Sequence, residues 1–102
     1  VAGMLRSFDY AVESALRTGA TRTVDYGRAR PWGDAWTVWV SAAFLAGYLD
    51  VASSLVPADP EVRRLVLDFH TMEKCVYEIN YELNNRPDWL PIPIRGLLDL
   101  IG

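Results

Sequence analysis

The longest helical pattern in the chain has both of its ends marked, and it constrains the fold more than any other feature. Asp59 can accept a hydrogen bond as an N-cap, Pro60 suits the first helical position and Glu61 complements the positive end of the helix dipole. Pro87 cannot continue a helix. The sequence therefore predicts a helix from Pro60 to about Asn85, on the order of 38 Å long.

Two different stripes run along this predicted helix. The first is apolar, recurs at steps of three and four and predicts a buried face: Val62, Leu65, Phe69, Met72, Val76, Ile79 and Leu83. The second is polar with two tyrosines and recurs at the same steps: His70, Glu73, Lys74, Tyr77, Tyr81 and Asn84. At roughly 100° per residue, the two stripes lie on separate faces of the helix.

The polar stripe has two interpretations. A tyrosine ring can pack on the C–H face of a pyranose while its hydroxyl binds the polar edge, and glutamate and lysine can hold sugar hydroxyls by charge-assisted hydrogen bonds. A solvated helix face has the same composition and is common. The pattern alone leaves both interpretations open.

Two further helices are predicted before this one. The first runs from Val1 to about Arg17 and ends at Thr18-Gly19, and its apolar stripe begins so early that we expect the helix to start upstream of Val1. A loop over residues 20–33 follows, in which Tyr26 and Trp32 are candidate docking rings.

The second helix is predicted to begin at Asp34, as its N-cap, and to continue to about Leu49. It is apolar nearly all round but shorter than the roughly 20 residues that cross a bilayer, so it predicts a central buried helix, with Trp36 and Trp39 in the core. After the long helix, residues 88–93 are expected to be extended because each residue before a proline avoids helical geometry. A last short helix is predicted over residues 94–101.

These elements predict an all-α fold, a bundle of about four helices forming one domain over residues 1–102. Hydrophobic residues make up 51% of the chain, charged residues 23%, and the net charge is −3. This composition is typical of a soluble globular domain and argues against nucleic acid or a membrane as a partner. The single Cys75 predicts no internal disulfide and is expected to be a half-buried structural thiol, and no metal site is predicted.

Three stretches carry a resemblance to a known family: residues 1–11 (VAGMLRSFDYA), residues 44–48 (FLAGY) and the run over residues 73–89 (EKCVYEINYELNNRPDW) with Ile92-Pro93 after it. Together they resemble the C-terminal part of bacterial maltokinase, across almost the whole chain. The resemblance implies a fragment of a protein-kinase-like C-lobe. It also implies an enzyme that moves the γ-phosphate of ATP onto maltose and so forms maltose 1-phosphate for α-glucan synthesis.

The resemblance also implies site residues and partners. The matching positions for maltose are Tyr77 and Tyr81 for stacking and hydroxyl contacts, with Glu73, Lys74 and Glu78 for hydrogen bonds; Arg86, Asp9 and Tyr10 are further candidates. Phosphoryl transfer needs a phosphate-covering loop, a nucleotide-binding lysine and metal ligands, none of which is recognisable in the sequence. We therefore expect no catalytic residue in this chain, ATP and Mg²⁺ bound only by the intact enzyme, and no activity of the fragment alone.

Arg86 is either an orienting residue or a counter-charge at the helix end, and Arg6 and Asp9, three residues apart, could simply pair with each other. The expected partners are maltose and a trehalose synthase domain or subunit, in the cytoplasm. The alternative function is a non-catalytic helical interaction or dimerisation module. Exposed apolar surface on the first two helices would favour a homodimer.

Overall fold

The computed structural model describes residues 1–17 and 26–102, and within them it confirms the all-α bundle of four helices. Helix α1 spans Ala2–Arg17, α2 spans Tyr26–Ala52, α3 spans Pro60–Asn85 and α4 spans Pro91–Ile101. Short 3-10 turns, Ser53–Leu55 and Pro87–Trp89, follow α2 and α3, and the described residues contain no strand. The predicted stop at Thr18-Gly19 and the side chain of Tyr26 lie outside the described part of the chain.

Helix α1 occupies the centre of the bundle, because it packs against α2, α3 and α4. Its buried side chains are two apolar residues, Val12 and Leu16, and two charged residues, Arg6 and Glu13. Helix α4 adds Ile92 to the core and packs against α3 as well. The interior of the bundle is therefore small and contains several charges.

The ends of α3 are where the sequence predicts them. The side chain of Asp59 accepts a hydrogen bond of 2.9 Å from the backbone N–H of Glu61, and Pro60 begins the helix. At the other end the backbone N–H of Arg86 donates to the carbonyl of Glu82 over 2.8 Å. Local capping chemistry thus marks the residue at which this helix begins.

The predicted burial of the apolar stripe on α3 is wrong. Leu65 is 68% exposed and Val76 55%, and the other members of the stripe are exposed except Ile79, which is half-buried. The face of α3 that is buried carries Cys75, Glu78 and Glu82 instead. At roughly 100° per residue the apolar, polar and buried faces divide the helix into three sectors about 120° apart.

Side chains of α1 explain why this third face is buried. Arg6 reaches Glu78, and the Tyr10 hydroxyl reaches Glu82, so charged and hydrogen-bonded pairs hold α1 against α3. A helical period shows that one face is apolar, but it does not show which element covers that face. Within the described residues, no helix covers the apolar stripe.

Helix α2 begins earlier than predicted. Residues 26–33, expected in a loop, are helical, and Pro31 lies inside α2, where it cannot donate a hydrogen bond to the carbonyl of Gly27. Asp34 is consequently not an N-cap but an interior residue whose carboxylate pairs with Arg30 and Arg95. An aspartate is typical of a helix N-terminus, but inside α2 the arginine side chains neutralise the charge of Asp34.

Helix α2 is not a buried central helix. Trp39 is 78% exposed, and Trp36 is 46% exposed although its ring meets that of Phe8 edge-to-face at 6.2 Å; Trp32 is largely exposed as well. The core role predicted for Trp36 and Trp39 is therefore wrong. By length and composition alone, the segment Gly27–Leu55 would suffice to cross a membrane, so the expectation of a helix too short for that is also wrong.

The segment before α4 is helical rather than extended. Pro87–Trp89 forms a 3-10 turn, Leu90 has helical dihedral angles, and α4 starts at Pro91. Prolines at 91 and 93 fit here because the first turn of a helix has no intrahelical use for their missing N–H groups. This preference outweighs the tendency of residues before proline to be extended.

Candidate functional site

A cleft of about 960 Å³ lies beside the polar face of α3. Its walls come from the first residues of α1, the C-terminal half of α2, the connection between α2 and α3, and α3 itself. Apolar side chains such as Leu45, Val56 and Leu67 line part of it. Its volume falls in the range typical of small-molecule sites.

The polar face of α3 supplies four side chains to this cleft: His70, Glu73, Lys74 and Tyr77. The Lys74 ammonium lies 4.8 Å from the centroid of the Tyr77 ring, a cation–π distance. His70 Nδ1 lies 3.3 Å from Glu73 Oε1. Tyr77 is 61% exposed, so its ring is available to a ligand.

Arginine side chains at the start of α3 also line the cleft, and the sequence did not single them out as site residues. Arg63 donates from Nε to the carbonyl of Pro57 over 3.1 Å and from Nη2 to that of Ala58 over 3.3 Å, which ties the connection to α3. Arg64 lies 3.7 Å from Asp68. Arg63 lies two turns before His70 on the same helix face, and extending the polar stripe backwards by seven residues would have found it.

Glu78, a predicted maltose ligand, lies elsewhere. It is 7% exposed, and its Oε1 accepts a hydrogen bond of 2.9 Å from Nε of Arg6. Arg6 also pairs with Asp9 and donates from Nη2 to the carbonyl of Ile92 over 3.5 Å. The pairing of Arg6 with Asp9 is present, but it is part of a network between α1, α3 and α4 rather than a surface pair.

Burial dominates the titration of this network. Desolvation raises the pKa of Glu78 and of Asp9, although the Arg6 guanidinium opposes the change at both carboxyls. Burial opposes the charge of Arg6 as well, yet Glu78 and Asp9 together raise its pKa. One guanidinium therefore faces two carboxylates, and the network carries one excess negative charge when both are ionised.

A second cluster forms at the C-terminal end of α3 around the fully buried Glu82. The Tyr10 hydroxyl donates to Oε2 of Glu82 over 3.0 Å, and Arg86 donates to the same carboxylate from Nε over 3.0 Å and from Nη2 over 3.1 Å. The Arg86 guanidinium also lies 4.4 Å from the Trp89 ring centroid and 5.7 Å from that of Tyr81. Arg86 thus has the features of a counter-charge at the end of the helix.

The structure therefore brings three of the five predicted maltose ligands, Glu73, Lys74 and Tyr77, into one cleft. Tyr81 follows on the same face but lies outside the cleft, beside Arg86, and Glu78 lies in the interior. Asp9 and Tyr10 serve the contacts of α1 described above. The grouping in the cleft suits recognition of a polar ligand with an apolar face.

Covalent and metal chemistry have little support among the described residues. Cys75 is fully buried rather than half-buried, and burial raises the pKa of its thiol. No group of three His, Cys, Asp or Glu side chains in residues 1–17 and 26–102 is placed to hold a metal ion.

No protein-family model matches the sequence, and no solved structure is significantly similar to the fold.

Proposed function

We propose that this chain is the acceptor-sugar-binding helical part of an ATP-dependent maltose kinase, which forms maltose 1-phosphate in the route from trehalose to α-glucan. The observation that supports the proposal best is the grouping of Glu73, Lys74 and Tyr77 on one wall of the cleft. These residues belong to the run over residues 73–89 that resembles the maltokinase family. Resemblance and cleft thus favour the same surface.

The chemistry of the cleft suits a disaccharide. The Tyr77 ring can pack against the C–H face of one sugar ring while Lys74 occupies the other side of the aromatic ring. Glu73 accepts hydrogen bonds from sugar hydroxyls, and Arg64 and Lys74 donate them. A mostly apolar lining with a small number of polar side chains is the usual composition of such a site.

The nucleotide and its metal would be held elsewhere. Glu73 is the cleft's only carboxylate among the described residues, and the described part of the chain offers no metal-binding cluster. These residues do not fit ATP with Mg²⁺, so in this proposal both are bound by other parts of the intact kinase, and the isolated chain is inactive. The proposed setting is the cytoplasm, with a trehalose synthase domain or subunit as the supplier of maltose.

Calorimetric titration with maltose tests the proposal. We expect weak, saturable binding by the unaltered chain and its loss in Tyr77→Ala, because the stacking surface is removed. Trp39→Ala is the matched control, since it also deletes an exposed aromatic ring but lies outside the cleft. Equal binding by both variants, or no heat with the folded unaltered chain, would count against the cleft as a maltose site.

A helical interaction module is the second candidate function, and one observation favours it. The apolar stripe of α3 is exposed along the length of the helix. An apolar surface of this extent is typical of a site that contacts another protein.

A further inference from the structure

The apolar stripe of α3 has the spacing of a coiled-coil seam. Its members follow strict steps of three and four over three heptads, so Val62, Phe69, Val76 and Leu83 take position a and Leu65, Met72 and Ile79 take position d. A period of 3.5 is what a partner helix requires, whereas a face packed on a globular core follows 3.6 more loosely. The periodicity therefore indicates a second helix as the occupant.

The exposed area is sufficient for a specific interface. Six of the seven seam side chains are between 41% and 68% exposed. Six side chains of this kind offer roughly 500 Å² per copy, so two copies reach the roughly 1,000 Å² at which specific interfaces begin. No helix among residues 1–17 and 26–102 covers this area.

Charges beside the seam select the orientation of the second helix. Asp68 takes position g and Glu73 position e. In a parallel pair of identical helices, Asp68 of each copy would face Glu73 of the other, and both contacts would repel. An antiparallel pair places Val66 opposite Glu73 and removes this repulsion.

The antiparallel arrangement also produces complementary layers. In this arrangement each a position contacts a d position of the second copy. Phe69 therefore lies against Met72 on both sides of the twofold axis, and Leu65 lies against Val76 in the next layers. Contacts between an aromatic ring and a thioether sulfur are favourable. The helix dipoles oppose each other in this arrangement, as in most helical bundles.

We propose that two copies of this chain associate through an antiparallel coiled coil of their α3 helices, with the twofold axis between Phe69 and Met72. Val66 and Glu73 line the cleft as well, so the proposed interface adjoins one edge of the cleft. The proposal does not rest on maltose binding, and it specifies an orientation that a nonspecific apolar contact would not produce.

Sedimentation equilibrium from micromolar to millimolar concentration tests the association. We expect a monomer–dimer equilibrium that Leu65→Glu weakens by at least about tenfold, because each copy would bury an unpaired charge. Leu98→Glu is the matched control, since Leu98 is 60% exposed on α4 and is not a member of the seam, and it should leave the dimer intact. Circular dichroism verifies that both variants keep the helical fold.

Distances between spin labels test the orientation. Cys75 is fully buried, so a label can be attached selectively to Asn85→Cys. The antiparallel dimer predicts a separation of about 40 Å, from the rise of 1.5 Å per residue, whereas a parallel dimer predicts roughly 10–15 Å. The proposal would be overturned by a chain that stays monomeric, by a dimer that Leu65→Glu does not weaken, or by a label separation of roughly 10–15 Å. A monomeric chain would mean that a different protein covers the stripe.

Discussion

Nε of Arg6 donates to Oε1 of Glu78 over 2.9 Å, and this buried ion pair joins α1 to α3. Replacing Arg6 by Met would leave Glu78 and Asp9 without their counter-charge. Breaking a buried pair in this way costs about 3–5 kcal/mol, so we expect a loss of that order in the free energy of unfolding. Urea unfolding followed by circular dichroism measures it.

Arg64→Met is the control for this prediction. The Arg64 side chain is 83% exposed and lies 3.7 Å from Asp68, so we expect a change within about 0.5 kcal/mol. Equal losses in the two variants would mean that the Arg6 pair contributes no more than a surface contact.

The raised pKa values of Asp9 and Glu78 predict how stability depends on pH. Because the folded state holds these protons to a higher pH than the unfolded chain, whose carboxyls titrate near pH 4, folding is favoured at low pH. This contribution is lost as the pH rises through the folded pKa values. Glu78→Gln should therefore flatten the decline in melting temperature between mildly acidic and neutral pH.

The comparison of the unaltered chain with Glu78→Gln over that pH range isolates the contribution of this carboxyl. If the two profiles run parallel, the burial of Glu78 does not govern the pH dependence.

Gly96 allows the close approach of α4 to Arg6. A Cβ atom at Gly96 would collide with Nη1 of Arg6 and lie 2.8 Å from its Cζ. Gly96→Ala should therefore displace the guanidinium and lower the free energy of unfolding by about 1–3 kcal/mol. In α2, a Cβ at Gly47 meets nothing within 4 Å, so Gly47→Ala should be neutral or stabilise the helix by up to about 1 kcal/mol.

Thermal unfolding of both alanine variants provides the measurement. An unchanged stability of Gly96→Ala would contradict the close approach of α4 to Arg6, and a destabilised Gly47→Ala would contradict the open space around Gly47.

The thiol of Cys75 should be unreactive in the folded protein. It is fully buried, and burial raises its pKa, so little thiolate is present or accessible at neutral pH. We expect labelling with a thiol reagent to require unfolding in denaturant. Rapid labelling under native conditions would show that the contact between α1 and α3 opens readily.

The sequence predicts local features well and long-range partners poorly. Capping at Asp59 and the end of α3 before Pro87 depend on neighbouring residues and are confirmed. The buried face of α3 depends on Arg6 and Tyr10, which are more than 70 residues away, and its charged residues gave no apolar signal. The sequence also predicts Asp34 as an N-cap, whereas its carboxylate pairs with the distant Arg95 from inside α2.

The candidate site shows the same division. Steps of three and four residues predict that Glu73, Lys74 and Tyr77 share one face, because all three lie on the same helix. Glu78 belongs to the same run, but a further 100° places it towards α1, where Arg6 binds it. Spacing within a helix thus predicts neighbours on one face, whereas the opposing wall of the cleft depends on how α1 and α2 pack.

Titration with maltose followed by two-dimensional NMR, with sucrose as the control sugar, tests the central proposal most directly. We predict selective shifts at Tyr77, Lys74 and Glu73, with smaller changes at the buried Glu78. Sucrose should leave these resonances unchanged. Equal shifts with both sugars, or none at the cleft residues of the folded chain, would contradict the proposal that this surface binds maltose.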